Sequence, residues 1–197
     1  MAFMGVDRIS SDIQLRKFRQ LKIAVLALQK EQKFGRYCYY GCYCLPEGSH
    51  NIASGGYGKP LDPIDRACFD FKQCYQCLQD EHDNECAGED KGYSLNVITD
   101  ADGNNSLECR NNPGSCRYNI CQCDKRLAEQ LSIHEDSWNE DLHSVKGGFV
   151  RENECFRGSG SHYFEECCGD KTTFPFNQPR RDNQCCDGPY AKSLGEC

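Results

Sequence analysis

The stretch DRACFDFKQCY, residues Asp65 to Tyr75, carries two cysteines inside a helical pattern. Pro63 opens this pattern, because proline is well suited to the first turn of a helix and poorly suited to its interior. The pattern continues through Phe69 and Leu78. It predicts a helix from Pro63 to about Glu81.

Further elements are predicted on both sides of this helix. Before it, apolar side chains at helical intervals predict a first helix over residues 12–30: Leu15, Phe18, Leu21, Val25 and Leu28. Residues 37–60 are rich in Gly, Tyr, Ser and Cys and are interpreted as a loop pinned by disulfides. After the helix, Tyr93–Ile98 and Ser106–Cys109 predict a hairpin, and residues 116–133 predict a third helix.

The sequence contains 17 cysteines in 197 residues. This density favours an oxidised disulfide framework, and hence a secreted, extracellular protein. Zinc is the alternative, but Cys74 and Cys77 form the one spacing of the zinc-knuckle type and lie in the predicted helix. Because the cysteine count is odd, one thiol is expected to be free or bonded to another chain.

The formal net charge of -7 disfavours nucleic acid and anionic membrane surfaces as partners. No stretch approaches the roughly 20 apolar residues of a membrane span. We expect the sequence to be that of the processed chain, with any secretion signal removed.

The character of the sequence changes after His134. Residues 135–150 are polar and acidic, and two adjacent-cysteine pairs follow: Cys167 with Cys168, and Cys185 with Cys186. A segment of this size needs its cysteines for stability. We therefore predict a main domain over residues 1–145 and a cysteine-rich C-terminal extension over residues 146–197.

Three motifs together resemble secreted phospholipase A2. Residues 40–44 read Tyr-Gly-Cys-Tyr-Cys, like the calcium-loop signature of that family. Residues 65–75 align with its active-site helix, and Cys121, Cys123 and Asp124 align with its partner helix. The match covers roughly residues 12–134 and implies a mainly α, disulfide-rich fold. Its expected parts are an N-terminal helix, two long antiparallel helices, a small β-hairpin and the cysteine-rich appendage.

The departures from the family pattern bear on function. Phe71 stands where the family has its histidine base, and a phenyl ring accepts no proton. Lys72 stands where the family has its calcium-binding aspartate, and lysine offers no oxygen ligand. Leu45 and Pro46 replace a loop glycine, and residues 47–53 look inserted. We expect no catalytic residue and no bound calcium.

Other histidines do not obviously replace the missing base. His82 lies eleven residues beyond Phe71, about 16 Å along a continuous helix. His50, in the altered loop, is not excluded by geometry. The resemblance also implies that Asp124, Tyr75 and Tyr93 survive from the network that orients the family's histidine, and we interpret them here as a buried structural cluster.

The resemblance also implies a set of disulfides: Cys44–Cys68, Cys74–Cys123, Cys86–Cys116 and Cys109–Cys121. Ala67 and Gln130 stand where the family has two cysteines that pair with each other, so both halves of that bridge are absent. Four of the remaining cysteines are assigned as Cys38–Cys77 and Cys42–Cys155. This assignment leaves five cysteines in the extension, one of them available to a partner chain.

Two weaker signals lie in the predicted hairpin. Asp100, Asp102 and Asn104 resemble the start of a calcium loop, but Asn105 and Asn111 replace the required glycine and glutamate, which favours a turn. Asn104, Asn105 and Ser106 form an acceptor site for N-linked glycosylation.

Three functions remain open at the level of the sequence. The first is a non-catalytic structural or matrix protein that acts through protein contacts, by self-assembly or with a disulfide-linked partner, as in otoconin-like proteins. The second is a lipid-binding protein or an inactive subunit of a phospholipase or toxin complex. The third is residual phospholipase A2 activity.

Overall fold

The computed structural model describes residues 19–44, 55–87, 91–156, 166–174, 178–181 and 183–197. Residues 19–28 form α1. The predicted start of this helix, residues 12–18, lies outside the described residues. The helix ends two residues before the predicted end at Lys30. The carboxylate of Glu135 accepts hydrogen bonds from the backbone N–H groups of Lys30 and Glu31, both at 2.9 Å, and this draws the chain out of the helix.

The second helix, α2, spans Pro63–Glu81, as predicted. Asp62 caps its N-terminus, because the side chain accepts a hydrogen bond from the N–H of Asp65 at 2.7 Å. The third helix, α3, spans Cys116–Ile133, also as predicted, and Ser115 caps it by accepting from the N–H of Tyr118.

α2 and α3 pack side by side and run antiparallel. Cys74 is bonded to Cys123. About two turns beyond Cys74, His82 at the end of α2 contacts Asn119. Asn119 lies about one turn before Cys123 in α3, so the two helices run in opposite directions. The core between the helices is built from fully buried side chains of α1, α2 and α3: Leu21, Val25, Ile64, Leu78, Ile120 and Leu131.

The predicted hairpin is present, with slightly different limits. β1 spans Leu95–Thr99 and pairs antiparallel with β2, Asn105–Cys109. Tyr93 lies before β1 rather than in it. The carboxylate of Asp100 accepts the N–H groups of Asp102 and Asn104, so it closes the turn.

The C-terminal residues form short elements against the helices. They are α4 (Arg151–Glu154), the pair β3 (Cys167–Cys168) and β4 (Gln178–Pro179), and the hairpin of β5 (Gln184–Asp187) and β6 (Tyr190–Ser193). β4 packs on α2. Phe149 and Phe174 are buried in the same hydrophobic core as the helices. The division of the chain near residue 145 stays a prediction.

All 17 cysteines lie in the described ranges, and 16 of them form eight disulfides. Four are the pairs implied by the family resemblance, and Cys42–Cys155 is the fifth shared with the sequence-based assignment. The other three are Cys77–Cys167, Cys168–Cys186 and Cys185–Cys197.

The assignment of Cys38 to Cys77 is wrong. Cys77 is fully buried on the part of α2 that meets the C-terminal strands, and it bonds to Cys167 across 90 residues of sequence. Cys38 is the unpaired thiol and lies near the ammonium of Lys22 on α1. The leftover cysteine is therefore in the main body of the protein, and the expectation of an unpaired cysteine in the extension is also wrong.

Candidate functional site

Phe71 and Lys72 lie side by side on α2, and both side chains are buried. The ring of Phe71 packs against the ring of Tyr75, one helical turn further on, with 4.7 Å between their centroids. An aromatic hydrocarbon therefore occupies the position next to Tyr75, and it contributes packing but no hydrogen-bonding atom.

Lys72 is a buried cation, with 5% of the residue exposed. Burial lowers the pKa of Lys72 from 10.5 to about 8, and the charge of Asp65 opposes this shift. Removing an ammonium group from water is costly, so burial favours the neutral amine.

Asp65 holds the loop that approaches α2. Its carboxylate accepts hydrogen bonds from the backbone N–H groups of Cys42 (3.0 Å), Tyr43 (2.7 Å) and Leu61 (3.0 Å). Burial raises the pKa of Asp65, while these three hydrogen bonds favour the charged form. This one side chain thus joins the beginning of the loop, at residues 42–43, to its end at Leu61.

Gly41 makes this close approach possible. Its φ is +59°, and a Cβ atom at this position would lie 2.5 Å from the carboxyl carbon of Asp65. A side chain would therefore push the loop away from α2. The guanidinium of Arg151 donates from Nε to the carbonyl of Gly41 at 3.3 Å, so the C-terminal segment also contacts this loop.

Tyr75 contacts Asp124 on α3 as well as Phe71. The carboxylate is fully buried and accepts the hydroxyl groups of Tyr75 (2.6 Å) and Tyr93 (2.7 Å). Burial and the adjacent negative charge raise the pKa of Tyr93 far above its ordinary value. The structure thus brings together Tyr75, Tyr93 and Asp124, the three residues of the network that the family resemblance implies.

Among the histidines that the structure describes, His82 is the nearest in sequence to this cluster. It caps the C-terminus of α2, and its Nε2 lies 3.0 Å from the side-chain amide of Asn119. Because α2 is continuous from Pro63 to Glu81, His82 is about 16 Å along the axis from Phe71. His50 and the inserted residues 47–53 lie outside the described residues.

Sequence reasoning did not find two of these contacts. Asp65 belongs to the quoted helix signature, but its role in binding the loop backbone requires the folded geometry. Arg151 carries no motif that would connect it to Gly41. Within the described ranges, no group of three or more His, Cys, Asp or Glu side chains is arranged to hold a metal ion. None of the helices in these ranges is both long and apolar enough to cross a bilayer.

Known proteins are similar to the part of the chain that contains this site. The family model described as Phospholipase A2 matches residues 18–143. A phospholipase A2 of Calliactis polypus is 30% identical over 121 residues, which are 61% of this chain and 63% of that protein.

Snake proteins give similar matches. The basic phospholipase A2 beta-bungarotoxin A1 chain of Bungarus flaviceps flaviceps is 34% identical over 98 residues, 50% of this chain and 56% of that protein. The A2 chain of Bungarus multicinctus is 30% identical over 98 residues, 50% of this chain and 57% of that protein. The alignments thus span between 56% and 63% of the length of these three relatives.

Proposed function

The chain belongs to the phospholipase A2 family, and from this premise we propose that it is a secreted member which does not hydrolyse phospholipid and acts through contacts with other proteins. The role proposed is that of a structural, matrix or assembly component outside the cell.

The pair Phe71 and Lys72 carries this proposal. The position that the family resemblance gives to the histidine base holds a buried phenyl ring, 2% exposed, which cannot take a proton from water. Phe71 also packs on Tyr75, so the space beside the Asp124 network is filled by carbon atoms.

The residues present do not fit a calcium ion. Calcium requires six to eight oxygen ligands, commonly including a carboxylate. Lys72 instead brings an ammonium group, which repels the ion and donates hydrogen bonds. The nearby carboxylate of Asp65 is already occupied by three backbone N–H groups. We infer that the protein folds and acts without calcium.

The retained scaffold supports a binding role. Eight disulfides fasten the chain, and the Tyr75–Asp124–Tyr93 cluster is kept although no histidine lies beside it among the described residues. A rigid surface needs little further ordering on binding, which reduces the entropic cost of association. Cys38 supplies an unpaired thiol for a covalent link.

A hydrolysis assay tests the proposal. The purified chain is incubated with micellar phospholipid and calcium, and released fatty acid is measured. The Calliactis polypus relative, assayed in parallel, provides the positive control. We expect no release above the blank. Calcium-dependent hydrolysis by the wild-type chain would overturn the proposal.

A variant identifies hydrolysis that comes from a contaminating enzyme. Asp65→Asn removes the charge that holds the loop, so hydrolysis by this chain itself should decrease in the variant. Hydrolysis from a contaminant should stay the same. Only release that falls with the substitution counts against the proposal.

A second candidate is an inactive subunit of a phospholipase or toxin complex. The observation in its favour is that several relatives are named as individual chains of beta-bungarotoxin. Those relatives are described as basic, whereas this chain has a formal net charge of -7. A partner phospholipase recovered with the native protein would favour this candidate, and copurified fatty acid would favour the related lipid-binding role.

Secretion can be tested at Asn104, which is exposed in the turn between β1 and β2. Expression through a eukaryotic secretory pathway should add an N-linked glycan there. Both Asn104→Gln and Ser106→Ala should remove the added mass, because each destroys the acceptor site. A secreted wild-type chain of unmodified mass would contradict this part of the proposal.

A further inference from the structure

Residues 138–147, which we call the strap, cross the segment that leads into the Tyr40–Cys44 signature. The backbone N–H of Gly41 donates to the carbonyl of Leu142 at 2.9 Å, and the N–H of Ser144 donates to the carbonyl of Tyr39 at 3.0 Å. His143, between these two contacts, pairs with Tyr40 in an antiparallel bridge. The strap is therefore fastened to residues 39–41 around a single histidine.

The ring of His143 is buried, with 3% of the residue exposed. Its hydrogen-bond partners determine which ring nitrogen carries the proton. Nδ1 accepts hydrogen bonds from the backbone N–H groups of Val145 (3.1 Å) and Lys146 (3.2 Å). Nε2 faces the carbonyl oxygen of Gly35 at 3.5 Å, and a carbonyl can only accept. The arrangement therefore requires a neutral ring with its proton on Nε2.

Protonation of the ring would place a hydrogen on Nδ1, directed at two N–H donors. Two hydrogen bonds would be lost, and the N–H groups of Val145 and Lys146 would face another donor in place of their acceptor. These bonds help to hold the turn at residues 143–146, which the N–H of Gly147 also closes by donating to the carbonyl of His143 at 2.8 Å. A protonated His143 is thus incompatible with the strap as it stands.

The charged groups around the ring do not offset this loss. Arg36, from the 3-10 helix Phe34–Tyr37, and Lys146, from the strap, both lie over the ring of Trp138. This ring packs edge-on against His143. Arg36 is also paired with the buried Glu135. The acids of the strap, Glu140 and Asp141, are exposed, and the hydroxyl of Tyr40 donates to Asp62. The ring nitrogens themselves face two N–H groups and one carbonyl.

We propose that His143 is an acid-sensitive latch: it holds the strap on residues 39–41 while neutral and releases it when protonated. Release of the strap is therefore expected on acidification. The N–H of Cys38 donates to the same Gly35 carbonyl that faces His143. The latch thus lies next to the unpaired thiol.

Hydrogen exchange of the full chain tests this proposal. We expect the protection of the Gly41 and Ser144 amides, corrected for intrinsic exchange rates, to fall by about tenfold or more between about pH 7.5 and about pH 5. Amides in the middle of α3 should keep their protection. Unchanged protection of Gly41 and Ser144 in the wild-type chain would overturn the proposal.

His143→Asn separates the latch from other effects of acid. The amide oxygen of asparagine replaces Nδ1 as the acceptor but does not titrate in this range. This variant should keep the strap protected at both pH values, within about threefold. His134→Asn, at the end of α3, is the matched control and should open like the wild type. An equal loss of protection in His143→Asn and in the wild type would overturn the proposal.

Two measurements on the wild type make the test independent of whether the variant folds. Nitrogen NMR of labelled histidine should show the Nε2-protonated form of His143 at neutral pH, and the opposite tautomer would overturn the proposal. Trp138 is the only tryptophan in the sequence, so its emission maximum reports on the strap. We expect a red shift on acidification, and an unshifted maximum would contradict release.

Discussion

At the scale of the residue, Lys72 is the most costly feature of the buried site. Its ammonium group is removed from water, and Asp65 opposes the resulting pKa shift only in part. A lysine that is buried in this way lowers the stability of the folded state whenever it carries its proton.

Lys72→Met is therefore expected to stabilise the protein near neutral pH. A shift of the pKa from 10.5 to about 8 corresponds to about 3 kcal/mol, and we expect a gain of roughly 2 kcal/mol in the free energy of unfolding because methionine fills the site imperfectly. Guanidinium denaturation with the disulfides intact measures this difference. A variant less stable than the wild type at neutral pH would contradict it.

The free energies of unfolding of the wild type and of Lys72→Met should also depend differently on pH. Between pH 8 and pH 10.5, unfolded lysine binds a proton that folded Lys72 has lost, so the wild-type free energy of unfolding rises with pH relative to Lys72→Met. Because the pKa shift corresponds to about 3 kcal/mol and the expected gain is roughly 2 kcal/mol, the difference between the two proteins should vanish at about pH 9.5 and reverse in sign above it. Lys30→Met is the control: its side chain is 76% exposed, and it should change stability by less than about 0.5 kcal/mol.

Asp124 illustrates a different balance, because it is buried with both of its tyrosine partners in place. Tyr93→Phe should lower the free energy of unfolding by about 1–2 kcal/mol, since the ring is kept and one hydrogen bond to a charged group is lost. Tyr75→Phe should behave similarly. Denaturation measures the stability of both variants. Tyr190→Phe is the control and should be nearly neutral, because Tyr190 is 51% exposed.

The double variant shows whether the two tyrosines act together. Loss of both hydroxyl groups should cost more than the sum of the single losses, because Asp124 would then lose both of its described hydroxyl donors. Single variants as stable as the wild type would show that the cluster contributes nothing to stability.

At the scale of the element, α2 links the site around Phe71 and Lys72 to the C-terminal segment. Phe71 and Tyr75 point to the Asp124 cluster, whereas Cys77 bonds to Cys167 and the helix packs on β4. The elements that follow residue 145 are thereby attached to the same helix that carries the site.

Removing this attachment should be costly. The double variant Cys77→Ala and Cys167→Ala opens a loop with a sequence separation of 90, and chain entropy gives a loss of about 4–5 kcal/mol. Denaturation and limited proteolysis should show a less stable protein whose C-terminal segment is cut first. The matched control is Cys185→Ala with Cys197→Ala, because that bridge has a sequence separation of only 12. Equal losses in the two double variants would contradict the prediction.

At the scale of the whole molecule, the disulfides leave one thiol over. Cys38 is partly buried, and burial raises its pKa while Lys22 opposes this shift. A thiol of this kind reacts slowly unless a partner approaches it. If the proposed assembly is covalent, Cys38 is expected to form the disulfide to the partner chain.

Cys38→Ser is expected to abolish any covalent complex while leaving the fold intact. Wild-type protein expressed through a eukaryotic secretory pathway should give disulfide-linked species on a nonreducing gel, and the variant should give only the single chain. Circular dichroism checks that the fold is kept. A wild-type protein with Cys38 fully titratable as a free thiol would exclude the covalent link, but not non-covalent assembly.

The sequence by itself determined the long elements and much of the covalent framework. α2 and α3 lie within their predicted limits, because capping residues and apolar periodicity act over a few neighbouring positions. The identity of Phe71 and Lys72 also needs no coordinates, since a side chain's ability to accept a proton or supply an oxygen follows from its chemistry.

Only the tertiary structure decided several of the contacts between distant groups. The partner of Cys77, the unpaired state of Cys38, the N–H groups of Cys42 and Tyr43 on Asp65 and the Gly35 carbonyl that faces Nε2 of His143 all depend on segments far apart in sequence. Such contacts require distances of a few ångströms, and these are set by the packing of the whole chain. Local sequence patterns carry no information about them.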